Sequence, residues 1–265
     1  MSSLWDQAAP GITSWSAELW QPLADHLVRK AQPAPGERVF DACCGTGTSA
    51  IPAARAVGSS GWVDAVDISA ELISQAQKNA RGLAQAHFSV GEVEHWQAPE
   101  PYDLVLCGFG LFFLGEPPAA LKLLTDLLRP GGRLAVSSWC GRPFGPLAEL
   151  VLEVAAAEGG GVREASAEVR NIGRLNSASK LSSFLEAGGL DGIEVELIEH
   201  RVPLTAESAW SFVQGSLLIE ALPGDPAAVQ RVRERVGAAI TTGLNLHADA
   251  LLAVGTLKWN RLTLT

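Results

Sequence analysis

Between about residue 36 and residue 139, two patterns of apolar and polar positions alternate. Apolar or β-branched runs lie at residues 38–42, 62–67, 86–90, 103–107 and 133–139. Each is followed by a Gly/Pro break. Helical spacing of apolar residues then marks 49–57, 70–82 and 117–128. Ser69 stands where an N-cap belongs, and Pro117 and Pro118 suit the first turn of a helix. Strands alternating with helices predict βαβ units and a mostly parallel, doubly wound α/β sheet. The runs are apolar throughout, as expected of strands covered on both faces.

The flanks follow other patterns. Residues 1–35 are rich in Trp (Trp5, Trp15, Trp20), and residues 17–30 predict one amphipathic helix with Leu19, Leu23, Leu27 and Val28 on a face. Beyond Trp139, helices are predicted at 145–158 and 177–187, with Gly159, Gly160 and Gly161 breaking the first. A strand over 193–202 follows, then helices across 206–243 around a turn at 223–226, then a closing strand over 250–259. The organisation read from this is an N-terminal helical lid, 1–35, and a core, 36–265. The core carries helical cap insertions at about 141–190 and 206–243.

Charge narrows the partners. The 265 residues hold 29 Asp and Glu against 20 Lys and Arg, a formal net charge of −9. Basic groupings are short, such as Arg231, Arg233 and Arg235, which are interleaved with Glu234. A nucleic-acid substrate calls for a basic stripe that displaces counterions, so a small-molecule acceptor is expected instead. No uninterrupted apolar stretch is long enough for membrane insertion, and the start lacks the pattern of a secretory signal. A cytoplasmic location is therefore expected. Cys43, Cys44, Cys107 and Cys140 form no CxxC pair and have no His at ligand spacing, so reduced thiols and no metal are expected. The oligomeric state stays open, a homo-oligomer included.

The candidate chemistry centres on residues 39–50, VFDACCGTGTSA, which end the first strand and open a helix. Gly45 and Gly47, flanking Thr46, allow a tight turn and close approach of a ligand to the backbone. The glycine pattern alone also fits a nicotinamide or flavin site. Three carboxylate positions tip the balance. Asp41 lies four residues before Gly45, where it would repel a pyrophosphate and attract a sulfonium or ammonium group. Asp67 ends the second strand, where a carboxylate accepts ribose hydroxyls. Gly91, Glu92, Val93 and Glu94 follow the third strand, where a carboxylate can accept from an adenine amino group.

Residues 17–139 resemble the class I S-adenosylmethionine-dependent methyltransferases, most of all the ubiquinone/menaquinone-biosynthesis type and its natural-product-tailoring relatives. The matching motifs are Asp41 with Gly45 and Gly47, Asp67, the Gly91–Glu94 step, Tyr102 with Asp103 and Val105, and Leu128 with Pro130, Gly131 and Gly132. The resemblance implies a Rossmann-like seven-stranded sheet with its last strand antiparallel. It also implies S-adenosylmethionine as cofactor, S-adenosylhomocysteine as product, and contacts at Asp41, Gly45, Thr46, Gly47, Asp67, Ile68, Glu92, Val93 and Cys107. Two departures matter. Glu92 stands where Asp is common, and Cys107-Gly-Phe-Gly-Leu-Phe-Phe113 replaces the D/N-P-P-[YF] motif of amino-group methylation on bases or glutamine. Phenol, carbon or alkyl-amine acceptors are thereby put ahead, with O- or C-methylation favoured over N.

The acceptor side is read from aromatic residues and histidines. Phe109, Phe112 and Phe113 follow the fourth strand, Trp139 and Phe144 follow the fifth, and Trp15 and Trp20 come from the N-terminal flank. Together they predict an apolar pocket at the carboxyl edge of the sheet. Among five histidines, His200 and His247 flank the 206–243 segment and are the candidate general bases. In-line positioning can supply much of a methyl transfer without a base. Two rivals stay open: a cofactor-binding cyclase or non-methylating scaffold, and a nicotinamide or flavin oxidoreductase.

Overall fold

The computed structural model describes residues 2–161, 165–240 and 243–258, with side chains from residue 5 onward. Its strands are β1 (Arg38–Ala42), β2 (Trp62–Asp67), β3 (Ala86–Val90), β4 (Tyr102–Gly108), β5 (Leu128–Trp139), β6 (Leu190–Ile198), β7 (Arg201–Pro203), β8 (Asn245–His247) and β9 (Ala250–Leu257). Seven of them form one sheet in the order β3-β2-β1-β4-β5-β9-β6. The pairs among β1 to β5 are parallel, and β9 runs antiparallel to β5 and β6. The expected Rossmann-like sheet, with its last strand reversed, is therefore present. The order turns back between β1 and β4, so the crevice that binds ligands in such sheets lies at their carboxyl ends.

The helices are α1 (Ser2–Ser14), α2 (Gln21–Ala31), α3 (Ala50–Val57), α4 (Ala70–Asn79), α5 (Pro117–Asp126), α6 (Leu147–Ala157), α7 (Ala167–Arg174), α8 (Ala178–Ala187), α9 (Ala206–Gln214) and α10 (Pro226–Ala239). Alternation along β1 explains the layering. Val39 packs with Leu23, Leu27, Ala53 and Ala54 of α2 and α3, whereas Phe40 and Ala42 pack with Leu121 and Leu124 of α5 and Leu181 and Leu185 of α8. Both faces of the sheet are thus covered, as its apolar runs require. Burying a Leu or Phe side chain here contributes roughly 1.5–3 kcal/mol.

Three elements differ from expectation, each for a local reason. The single helix read over 17–30 is α2 preceded by a π-helical turn, Ser16–Trp20, in which Trp20 N–H donates back to Trp15 O at 3.3 Å. Pro22 has no N–H to give to Glu18 O four residues back, so a regular helix cannot run through this point. Ahead of it lies α1, which sequence pattern did not mark because Pro10 and Gly11 sit inside it.

The strand read over 193–202 is two elements. Its chain turns after β6, where His200 N–H donates to Asp249 Oδ1 at 3.1 Å and the Arg201 guanidinium pairs with the same carboxylate. β7 then leaves the sheet to pair with β8 in a separate two-stranded ribbon. The third difference is α7, within the stretch left unassigned before 177; Ser166 caps it by accepting from Val169 N. The closing strand ends at Leu257, and its expected last residue, Trp259, lies outside the described residues.

Candidate active site

A cavity of about 470 Å³ lies against the turns that follow β1, β2, β4 and β5. The turn after β1 is built for close approach. Cys43, Gly45 and Gly47 all take left-handed backbone angles (φ of 56°, 54° and 84°), and a Cβ at Gly45 would meet nothing within 4 Å, so the ligand side of that residue is open. A Cβ at Gly110, by contrast, would lie 2.7 Å from Cys43 Cβ, so the loop after β4 is pressed against the same turn and needs glycine there.

One half of the cavity is acidic. Asp41, Gly45, Thr46, Asp67, Ile68, Glu92 and Val93 all line it. Asp67 Oδ2 accepts from Gly45 N–H and its Oδ1 from Ser69 N–H, both at 2.9 Å, which orients the carboxylate at the tip of β2. Burial pushes the Asp67 carboxyl above the ordinary range, opposed by those two N–H donors. Asp41 is only 1% exposed, and its Oδ2 has no hydrogen-bond partner. Burial, with the nearby Asp67 charge adding to it, pushes Asp41 up to about 8, while the Ala50 N–H at the start of α3 pulls the other way. Glu92 Oε2 lies 2.9 Å from His95 Nδ1.

The other half is aromatic. Trp20, Phe109, Phe112, Phe113, Trp139 and Phe144 line it. Phe109 stacks on Trp139 with centroids 4.1 Å apart and planes at 24°, and the edge of Phe144 meets Trp139 at 4.7 Å. Trp5 and Ile12 of α1, Ile172 of α7, and Phe212 of α9 complete the walls. Trp5, Ile12 and Ile172 carried no periodic signal that could have assigned them to the site. Gly47, Trp15 and Cys107 lie outside the lining. Gly47 packs inward, where a Cβ would meet Ile51 and Phe88 at 3.1 Å; Trp15 is buried edge-on to Phe212; Cys107 is buried on β4 behind Cys43.

The structure does not bring His200 or His247 into the cavity. His200 Nε2 lies 2.7 Å from Glu18 O, the carbonyl that Pro22 leaves without a helical partner, so the ring serves as its donor. His247 sits exposed in β8 and acts through its backbone, its O accepting from Phe144 N–H at 2.7 Å. Among the described residues the histidine that lines the cavity is His95, at the acidic half. No group of three or more His, Cys, Asp or Glu side chains among the described residues is placed to hold a metal ion.

These features fit an S-adenosylmethionine molecule. An orphaned buried carboxylate at Asp41 offers a partner for an ammonium group, and Asp67 offers oriented oxygens for ribose hydroxyls. A pyrophosphate would meet two buried acids instead.

Comparison with known proteins agrees. Residues 39–132 match the family described as a methyltransferase domain. The chain is 35% identical to an aklanonic acid methyltransferase from Streptomyces over 52% of this chain and 64% of the relative. It is 34% identical to a 2-phytyl-1,4-naphtoquinone methyltransferase from Synechococcus elongatus over 56% of this chain and 66% of the relative. It thus spans just under two thirds of these relatives' length. In fold it is similar to YcgJ from Bacillus subtilis (TM-score 0.60, 15% identity, covering 89% of this chain and 98% of that one). It is equally similar to the cyclase SpnF (TM-score 0.60, 18% identity, covering 97% and 95%). The sheet order and the matched domain agree: residues 39–132 carry a methyltransferase domain, and over just over half its length the chain is similar to methyltransferases.

Proposed function

We propose that the protein transfers a methyl group from S-adenosylmethionine to a small apolar or aromatic acceptor, with an oxygen or carbon atom as the site of methylation. The observation that carries this is a single cavity whose acidic half, at Asp41, Asp67 and Glu92, runs into an aromatic half at Trp20, Phe109, Trp139 and Phe144. The relatives that act on aklanonic acid and on 2-phytyl-1,4-naphtoquinone support an acceptor of this kind.

When bound, S-adenosylmethionine supplies a methyl group already activated by its sulfonium. The chain's own residues then have three tasks. Asp41 and Asp67 bind and orient the polar ends of the cofactor. The aromatic wall seats the acceptor in line and excludes water. The N-terminal segment 1–35 acts as a lid: Asp6 of α1 accepts from Ser69 Oγ at 2.6 Å, beside Asp67, and Trp5 and Ile12 close the cavity. The four free thiols support a reducing, cytoplasmic location.

The test is incubation with S-adenosylmethionine and a panel of phenols, prenylated quinols, terpenoids and indoles, read by mass spectrometry. A product heavier by one methylene supports methyl transfer. A product of unchanged mass but altered chromatographic behaviour would instead show a cyclase or other isomerising activity.

A further inference from the structure

Phe109 is held in a conformation its residue type disfavours. Its φ is +55°, in the left-handed region that glycine adopts readily and phenylalanine does not. Among the described non-glycine residues, Cys43, Phe109 and Phe144 share this feature and all line the one cavity; the fourth, Gln32, merely ends α2. Backbone strain gathered at one site marks a constraint set by the surrounding structure.

The constraint on Phe109 is visible. Its N–H donates to Ser137 Oγ at 2.9 Å. Ser137 lies on β5 opposite Gly108 and is 1% exposed. On the other side, Gly110 is pressed against Cys43 and cannot relax outward. The result is a ring stacked flat on Trp139, with Trp20 edge-on at 5.9 Å. Glycine would hold this turn with less strain, so the ring itself is what the strained position delivers to the cavity.

We propose that Ser137 is a positioning residue for the acceptor: its hydroxyl fixes the left-handed Phe109, and the Phe109 ring so placed is the specificity-determining wall of the acceptor half. This rests on the methyl-transfer reading above. Loss of the Ser137 hydroxyl leaves a half-buried N–H without this partner and frees Phe109 to leave the left-handed region, tilting its ring off Trp139. With glycine at position 109, the backbone needs no such help and Ser137 loses this role.

The experiment is a double-mutant cycle of Ser137→Ala and Phe109→Gly, read as 1-naphthol affinity in the presence of saturating S-adenosylhomocysteine. Each single change is expected to weaken 1-naphthol binding about tenfold, and the double variant no further than Phe109→Gly alone. S-adenosylhomocysteine affinity and the thermal midpoint serve as folding controls in every variant. Losses that simply add, or undiminished 1-naphthol binding in Ser137→Ala, would overturn the proposal. So would a parent protein that binds S-adenosylhomocysteine but not 1-naphthol. A parent that fails to bind S-adenosylhomocysteine would instead overturn the reading on which the proposal rests.

Discussion

The backbone N–H of Gly45 donates to Asp67 Oδ2 at 2.9 Å, tying the glycine turn after β1 to the tip of β2. The second oxygen of Asp67 is engaged by Ser69 N–H, at the start of α4. The carboxylate is therefore oriented before any ligand arrives, and the reorganisation that binding requires is small.

Asp41 predicts a conflict between stability and binding. Burial lifts its carboxyl to about 8 from an ordinary 3.8. The folded state thus holds the proton more tightly than the unfolded chain, and this contribution to stability declines as pH rises from 4 towards 8. An amide of the same shape has no charge to desolvate. Without cofactor, Asp41→Asn should be more stable than the parent at pH 8 by about 1–3 kcal/mol, with the gap narrowing towards pH 5. The same variant should bind S-adenosylhomocysteine at least about tenfold more weakly. Thermal melts at the two pH values check the first part, and an Asn variant less stable at pH 8 would contradict it.

His200 and His247 yield a second expectation. His200 is occupied with Glu18 O, and His247 supports Phe144 through its backbone. Replacing either imidazole by alanine should leave kcat within about fivefold of the parent, whereas loss of a general base costs about 10²–10⁴-fold. Steady-state kinetics on any acceptor found in the panel decides it.

Metal dependence is the third. The acids that line the cavity, Asp41, Asp67, Glu92 and Glu94, come from the ends of three different strands, and oxygen-rich Mg²⁺ or Ca²⁺ sites need several gathered at one point. Turnover should be unchanged in excess EDTA. Loss on chelation with recovery on adding Mg²⁺ would show a metal-assisted mechanism.

The proposed N-terminal lid supplies the fourth. α1 crosses α9 at Gly11 and Gly215, where a Cβ on Gly11 would lie 2.7 Å from Gly215 N, and it latches onto α4 through Asp6. Binding of S-adenosylhomocysteine should slow hydrogen exchange in residues 5–14. Gly11→Leu should force α1 off α9, leaving a folded protein with weak turnover. Equal, strong protection with and without ligand would make α1 a fixed part of the core.

What the sequence made legible follows from where the physics is local. β1, its glycine turn and Asp67 announce themselves because strand period, turn chemistry and charge placement all act within a few residues. Phe109, Trp139 and Phe144 could be assigned to the pocket because they lie at or just past strand ends whose edge was already known. Trp5 and Ile12 could not, since α1 holds Pro10 and Gly11 and is stabilised by its contacts with α4 and α9. The role of His200 was equally hidden, because it answers a carbonyl orphaned by Pro22 on a distant segment. Nor does any sequence pattern reveal that Phe109 takes a left-handed backbone, which depends on Ser137 one strand away.

The most direct test of cofactor binding at this site is a calorimetric titration of S-adenosylhomocysteine into the parent and into Asp67→Ala. Each charge-assisted bond from a ribose hydroxyl contributes about 1.5–3 kcal/mol, so the variant should bind at least about tenfold more weakly. An affinity within about twofold of the parent would contradict the placement of the cofactor at Asp67, since removing even one such bond costs more than that.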